Sequence, residues 1–201
     1  MARPPNPERK TELLDQILDH LLDKTLAGLS FRTLADGLGI SSYVLVYHFG
    51  NREELVNQIV THIERRHDSV KVPRPEDLSR EDFREWSLAT WRWTQIERNR
   101  QLQRLEFEAS LHDAVSDSPR ESAAAKYEYW HGFIRDWLLS QGMPSDLADT
   151  AARMHLSGTY GLQYDFVVNR DRSATEAALL LMLDYFFDYL DQVTAPEQQR
   201  V

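Results

Sequence analysis

Three residues constrain this chain more than any others: Ala35, a glycine four positions later at Gly39, and Leu45 six beyond that. A small side chain followed by a glycine and then an aliphatic residue predicts two short helices crossing at a tight turn, a helix-turn-helix. The crossing leaves no room for a large group at Ala35, and the turn needs the left-handed backbone that glycine adopts without a Cβ penalty. The residues around the three agree. Ser30 can N-cap the first helix, whose inward face is Phe31, Leu34, Ala35 and Leu38. Ile40 enters the shared core, Ser41 can cap the second helix, and Leu45 and Phe49 lie four apart on one of its faces. Asn51 can cap a further helix with Glu54 at its third position. Two helix starts, at Ser41 and Asn51, thus offer backbone N–H groups to phosphate.

The stretch resembles the N-terminal domain of the tetracycline-repressor (TetR) family of bacterial transcription regulators. The matching residues are Arg32-x-Leu34-Ala35, Leu38-Gly39-Ile40-Ser41, Leu45, Tyr47-His48-Phe49, and Arg52 just before Glu53-Glu54-Leu55. This resemblance implies that the segment from Ser42 to His48 reads a major groove of double-stranded DNA. Arg32 is then expected to make bidentate contacts to guanine, and Tyr43 and Val46 to pack on thymine methyls. Tyr47, His48 and Arg52, with the amides at the helix starts near Ser42, are expected to hold phosphates. Packing inside the small domain is an equally open role for Tyr47. The chain departs from the family pattern at Tyr43, Val44 and Val46, where a small residue, a hydroxyl and often a tyrosine are implied. Fewer side chains on this reading helix can therefore hydrogen-bond DNA.

Charge argues the other way. The 201 residues carry a formal net charge of −9, and a protein that held DNA by charge alone would be basic. A local positive face suffices for a modular reader, and Arg3, Arg9, Lys10, Arg32, His48 and Arg52 are its candidates. Opposing them are Asp36, Glu53 and Glu54, and also Glu8, Glu12, Asp15, Asp19 and Asp23, assigned to the solvent side of the first helix. Steep salt dependence and weak non-specific binding are expected. The hydrophobic share of 42% and charged share of 27% exclude wholesale disorder. With no cysteine in the chain, disulfide scaffolds, thiolate zinc sites and cysteine nucleophiles are excluded. No apolar segment of signal-peptide type begins the sequence, and the most apolar run, residues 177–183, is too short to span a bilayer. A cytoplasmic protein with no membrane partner is expected.

The rest of the chain reads as helix throughout. Prolines at Pro4, Pro5 and Pro7 make the N-terminus an extended arm, either a disordered tail or an arm placing Arg3 in a minor groove. A first helix is expected over Glu8 to Leu26, and a long one from Arg52 that breaks before Pro73-Arg74-Pro75. Further helices are expected at Arg80–Arg98, Arg100–His112, Pro119–Gln141, Ser145–Asn169 and Ala174–Val193, separated at Asn99, the Ser116–Pro119 turn, Gly142-Met143-Pro144 and Arg170–Ser173. Ser79 with Asp82 forms a loose capping box. The fold class is all-α, with about nine helices. Residues 1–51 are expected to form the three-helix DNA-binding domain, 52–72 a connecting helix suited to transmit movement, and 76–201 a ligand-binding and dimerisation domain.

The last two helices are apolar nearly all the way round, from Ala177 to Leu183 and then Tyr185, Phe186, Phe187, Tyr189 and Leu190. The resemblance implies that they pair with their mates in a homodimer, with Gly158 and Gly161 allowing close approach. Catalytic signatures are missing: there is no Gly-x-Ser-x-Gly elbow, phosphate-cradling glycine loop or His-Glu-x-x-His. No enzyme activity and no cofactor are expected. Glu108 with His112, and Glu64 with His67, have ligand spacing but lack a third ligand, so no metal is expected. Trp86, Trp93, Phe107, Trp130 and Trp137, with His155, Tyr160 and Tyr164 as polar groups, are candidates to line a site for a small-molecule effector; filling the core is their alternative role. Arg153 and Gln163 are further polar candidates. The expected function is a ligand-responsive repressor, released from a near-palindromic operator by a small apolar or aromatic molecule. A helical ligand- or partner-binding protein with weakened DNA recognition is the alternative.

Overall fold

The computed structural model describes residues 7–67, 72–114 and 121–195. Among them are nine α-helices and no strand: α1 (Pro7–Leu21), α2 (Phe31–Leu38), α3 (Ser42–Phe49), α4 (Arg52–His67), α5 (Arg80–Thr94), α6 (Glu97–Ala114), α7 (Glu121–Ser140), α8 (Ser145–Asn169) and α9 (Arg172–Thr194). Short 3-10 turns at Leu26–Gly28 and Pro75–Asp77 join some of them. The expected all-α class is therefore observed. Arg3 on the N-terminal arm and the Ser116–Pro119 turn lie outside the described residues.

The chain forms two compact units, Met1–Lys71 with Gln101–Arg120, and Val72–Arg100 with Glu121–Val201. In the first, α1 contributes Leu13, Leu14, Ile17, Leu18 and Leu21, α2 Leu34 and Ala35, α3 Leu45 and Phe49, and α4 Leu55, Val56, Ile59, Val60 and Ile63 to one core. Leu102, Leu105 and Ala109 of α6 complete it, because their spacing puts all three on one helix face. The sequence expectation placed 76–201 in a single domain; the structure instead groups the C-terminal part of α6 with the helix-turn-helix. Polar bonds strengthen that grouping. Arg104 Nη2 donates to the carbonyls of Leu21 at 3.0 Å and Lys24 at 2.9 Å, and Leu26 N–H donates to Glu108 at 2.7 Å. Arg104 and Glu108 also pair with each other.

The second unit is built on aromatic rings. Phe83 of α5 stacks on Trp137 of α7 at 3.9 Å, and Trp137 Nε1 donates to the Leu78 carbonyl at 3.1 Å. Around this pair are Phe133, Ile134, Leu138, Ala148, Ala152, Leu156, Phe186 and Leu190. Trp91, Phe166, Leu179 and Leu183 form an adjoining cluster, and Phe187 packs against both.

Several helix ends differ from expectation. The first helix stops at Leu21, and the 3-10 turn at Leu26–Gly28 follows it. Asn99 lies inside α6 rather than between helices; the break is at Gln95 and Ile96, and the Asn99 amide donates to the Trp93 carbonyl at 2.9 Å. Asn99 thus caps the end of α5 with its side chain, and its place in the sequence misled by four residues. Similarly, α9 starts at Arg172 because Asp171 accepts from Ala174 N–H at 2.9 Å. The Ser79–Asp82 capping box forms, with both reciprocal bonds at 3.1 Å. None of the described helices is long and apolar enough to cross a membrane.

Candidate nucleic-acid interface

In the first unit the turn that most constrains the sequence is formed by backbone geometry. Ser30 and Thr33 make a capping box at the start of α2, Ser30 Oγ accepting from Thr33 N–H at 3.1 Å. Gly39 sits at φ 65° and its N–H returns to the Ala35 carbonyl. Ser41 then caps α3 through Tyr43 N–H at 3.2 Å. Leu45 and Phe49 are buried on the inner face of α3. A half-turn away, Tyr43, Val46 and Tyr47 face outward, Tyr43 with 75% of its surface exposed. The rings of Tyr43 and Tyr47 stack at 6.4 Å, giving the outer face of α3 an aromatic ridge. Ser42 and Arg32 are also exposed.

Two of the expected phosphate contacts, Arg52 and His48, are changed by their surroundings inside the unit. Arg52 donates to the carbonyls of Leu29 and Leu26, so only part of its five-donor guanidinium is left for a phosphate. His48 is half-buried, and burial, followed by the charges of Lys10 and Arg9, holds its pKa below the usual imidazole range. Its Nδ1 is buried without a partner. At neutral pH this ring is a neutral hydrogen-bonding group rather than a cation. Arg9 pairs with Glu12 at 2.9 Å, and Lys10 Nζ lies 5.8 Å from the centroid of the Phe49 ring. Asp15, expected on the solvent side of the first helix, keeps 42% of its side chain exposed and also bonds His62 of α4 at 2.8 Å. Asn51 does cap α4, accepting from Glu54 N–H at 2.9 Å.

Sequence reasoning passed over Gly37. A Cβ there would overlap the imidazole of His20, so the glycine lets α1 press its ring against α2. His20 lies near Lys24, and burial followed by that charge lowers its pKa. The contact crosses between helices and leaves no periodic signal; a glycine inside a short helix was its one trace.

In the second unit, the structure brings together Trp86 and Trp130, with ring centroids 5.7 Å apart, and both meet Phe133. Trp137 and His155 lie on either side of Phe83 and Phe186 in the same cluster. Tyr160 stacks with Tyr127 at 6.2 Å, and Arg153 lies over Tyr127 at 5.7 Å. Trp93 is half-buried. Tyr164 is exposed, and Phe107 belongs to the first unit. Burial lowers the His155 pKa to about 4. Gly158, expected to admit a second backbone, meets Met182 of its own chain, whereas the Cβ position of Gly161 is open. Tyr185, 68% exposed, and Met154, Tyr164, Val168 and Leu181 are exposed large side chains of α8 and α9.

No cluster of metal-binding side chains occurs among the described residues. Glu108 is engaged by Arg104 and Leu26 N–H, while the side chains of Glu64, His67 and His112 lie outside the described residues.

No family model matches the sequence, and no curated protein matches it. Solved structures match its fold. A TetR transcriptional regulator from Legionella pneumophila aligns with a TM-score of 0.64 at 16% identity, over 94% of this chain and 99% of its own. A TetR family transcriptional regulator from Pseudomonas syringae pv. tomato aligns with a TM-score of 0.65 at 16% identity, over 92% and 98%. NalD, the secondary repressor of the MexAB-OprM multidrug efflux pump in Pseudomonas aeruginosa, aligns with a TM-score of 0.57 at 16% identity, over 91% and 97%. From the left-handed turn at Gly39 to the long final helices, the chain has the all-α fold of the TetR-family transcriptional regulators.

Proposed function

We propose that this protein is a ligand-responsive transcription regulator of the bacterial cytoplasm. It acts as a homodimer that represses by holding a near-palindromic operator. The observation that carries this reading is the division of α3, with Leu45 and Phe49 buried and Tyr43, Val46 and Tyr47 turned outward. An eight-residue helix anchored on one face and solvated on the other is what a major-groove reader requires.

On this reading Tyr43 and Val46 contact thymine methyls and Arg32 reads guanine. Ser42, Tyr47 and the free donors of Arg52 hold the backbone, and neutral His48 adds a hydrogen bond at most. Dimerisation through α8 and α9 is supported by the large apolar side chains these two helices expose, Met154, Val168, Leu181 and Tyr185 among them. Two-fold symmetry would then set two α3 helices about 34 Å apart, one helical turn of DNA. Binding of an uncharged apolar or aromatic molecule among the rings of the second unit would favour a dimer whose reading helices no longer match that spacing.

Selection of bound sequences from random double-stranded DNA tests the proposal. Enrichment of a near-palindrome, with affinity falling steeply as salt rises, is expected. A pool that stays random through repeated rounds would overturn it.

A further inference from the structure

The second unit holds buried polar atoms that its own chain leaves without partners. His155 is 6% exposed and its Nδ1 makes no hydrogen bond. Its ring lies 4.2 Å from Phe186 and 5.9 Å from Phe83. Two turns further along the same face of α8, Gln163 is 8% exposed, and its Oε1 has no partner. Thr159, midway between them, turns its hydroxyl back to the His155 carbonyl at 3.0 Å, so it does not satisfy either one. On α5, the buried Nε1 of Trp91 is also unpartnered. The Trp91 ring meets Phe166, one turn beyond Gln163, at 6.2 Å.

Native interiors rarely leave such atoms unbonded, and a conspicuous group of them points to a molecule from outside the chain. Resting on the reading that this unit takes an effector, we propose that the effector is uncharged and elongated, with a hydroxyl-like group at each end. One end meets His155 Nδ1, and the other lies between Gln163 Oε1 and Trp91 Nε1. A hydroxyl suits the second position because it donates to the amide oxygen and accepts from the indole N–H together. The two anchors are about 12 Å apart along α8, eight residues at the helical rise.

Burial and the neutrality of the three anchor groups argue against a charged ligand. His155 is neutral, its proton affinity lowered by burial. Arg80 pairs with Asp191 and Arg84 with Asp184 at the surface, and buried Arg100 bonds Glu97 and the Val167 carbonyl. An ionised ligand would lose its hydration against a neutral imidazole, an amide and an indole.

The test is a tryptophan-fluorescence titration of the full-length protein, without DNA, using three probes of one shape. They are biphenyl with a para-hydroxyl on each ring, biphenyl with a single para-hydroxyl, and biphenyl with a para-carboxylate on each ring. The dihydroxy compound should bind roughly tenfold or more tightly than the monohydroxy one, and the dicarboxylate should not bind. His155→Phe and Gln163→Leu should each reduce the dihydroxy compound to the level of the monohydroxy one. Should His155→Phe fail to fold, Gln163→Leu decides alone. Equal binding of the two hydroxylated probes, binding of the dicarboxylate, unchanged affinity in the variants, or no binding of any probe would overturn the proposal. The last result would mean that buried water satisfies these atoms. Because no DNA is present, each of these failures leaves the operator reading to its own selection experiment.

Discussion

Arg52 donates from Nε to the carbonyl oxygen of Leu29 at 2.9 Å, which fastens the first residue of α4 to the segment leading into α2. Nη2 makes a second bond to the Leu26 carbonyl at 3.0 Å. A planar guanidinium can reach both carbonyls at once, and an ammonium cannot. Arg52→Ala is expected to destabilise the protein by about 1–3 kcal/mol, and Arg52→Lys to restore little of it. Chemical denaturation of the three proteins measures this; a lysine variant as stable as the original would show that the two bonds are not what matters.

Ala35 is buried with Leu34 and Leu45 in the core that α2 and α3 share. Ala35→Leu should cost about 1–3 kcal/mol through overpacking. Because the only way to fit the larger group is to tilt α3, operator binding should fall more than stability. Melting temperature and a gel-shift titration on the same samples separate the two effects.

Tyr43 stands outside the core, so Tyr43→Ala should change stability by no more than about 0.5 kcal/mol. Its consequence should appear in base preference. Repeating the sequence selection with the variant should relax one position in each half-site while the salt dependence stays unchanged. A change in salt slope with no change in preference would assign Tyr43 to the DNA backbone.

His155 gives the stability a pH dependence of defined sign. Its pKa is lowered from 6.5 to about 4 in the folded state by burial, so between those values the unfolded chain binds the additional proton. Stability is complete above pH 6.5 and falls on acidification toward about pH 4, by up to ~1.4 kcal/mol per pH unit. His155→Phe should flatten that slope. Urea midpoints at neutral and mildly acidic pH, for both proteins, provide the check; parallel curves would refute the assignment.

Leu181 and Tyr185 lie exposed one turn apart on α9. Replacing both with glutamate should leave the helical content of the subunit intact and convert the dimer to monomer in sedimentation analysis, since buried like charges across a two-fold interface repel. Operator affinity should drop with it. A double variant that still sediments as a dimer would move the interface elsewhere.

The sequence by itself determined what depends on neighbours a few residues apart. The Ala35–Gly39–Leu45 spacing, the caps at Ser30, Ser41, Asn51 and Ser79, and the bounds of α8 were all legible because capping and amphipathic periodicity are local properties of a chain. They were enough for the all-α fold and for which face of α3 looks outward. Tertiary structure alone decided how side chains far apart in sequence are used. It bound Arg52 to the Leu26 and Leu29 carbonyls, joined Asp15 to His62, seated His20 on Gly37, and drew Leu102, Leu105 and Arg104 into the first unit. It also buried His155 Nδ1 and Gln163 Oε1 without hydrogen-bond partners while leaving Tyr164 exposed. A hydrogen bond or a close contact between residues tens of positions apart has no period to detect, so only the packed chain reveals which polar groups are already satisfied and which are not.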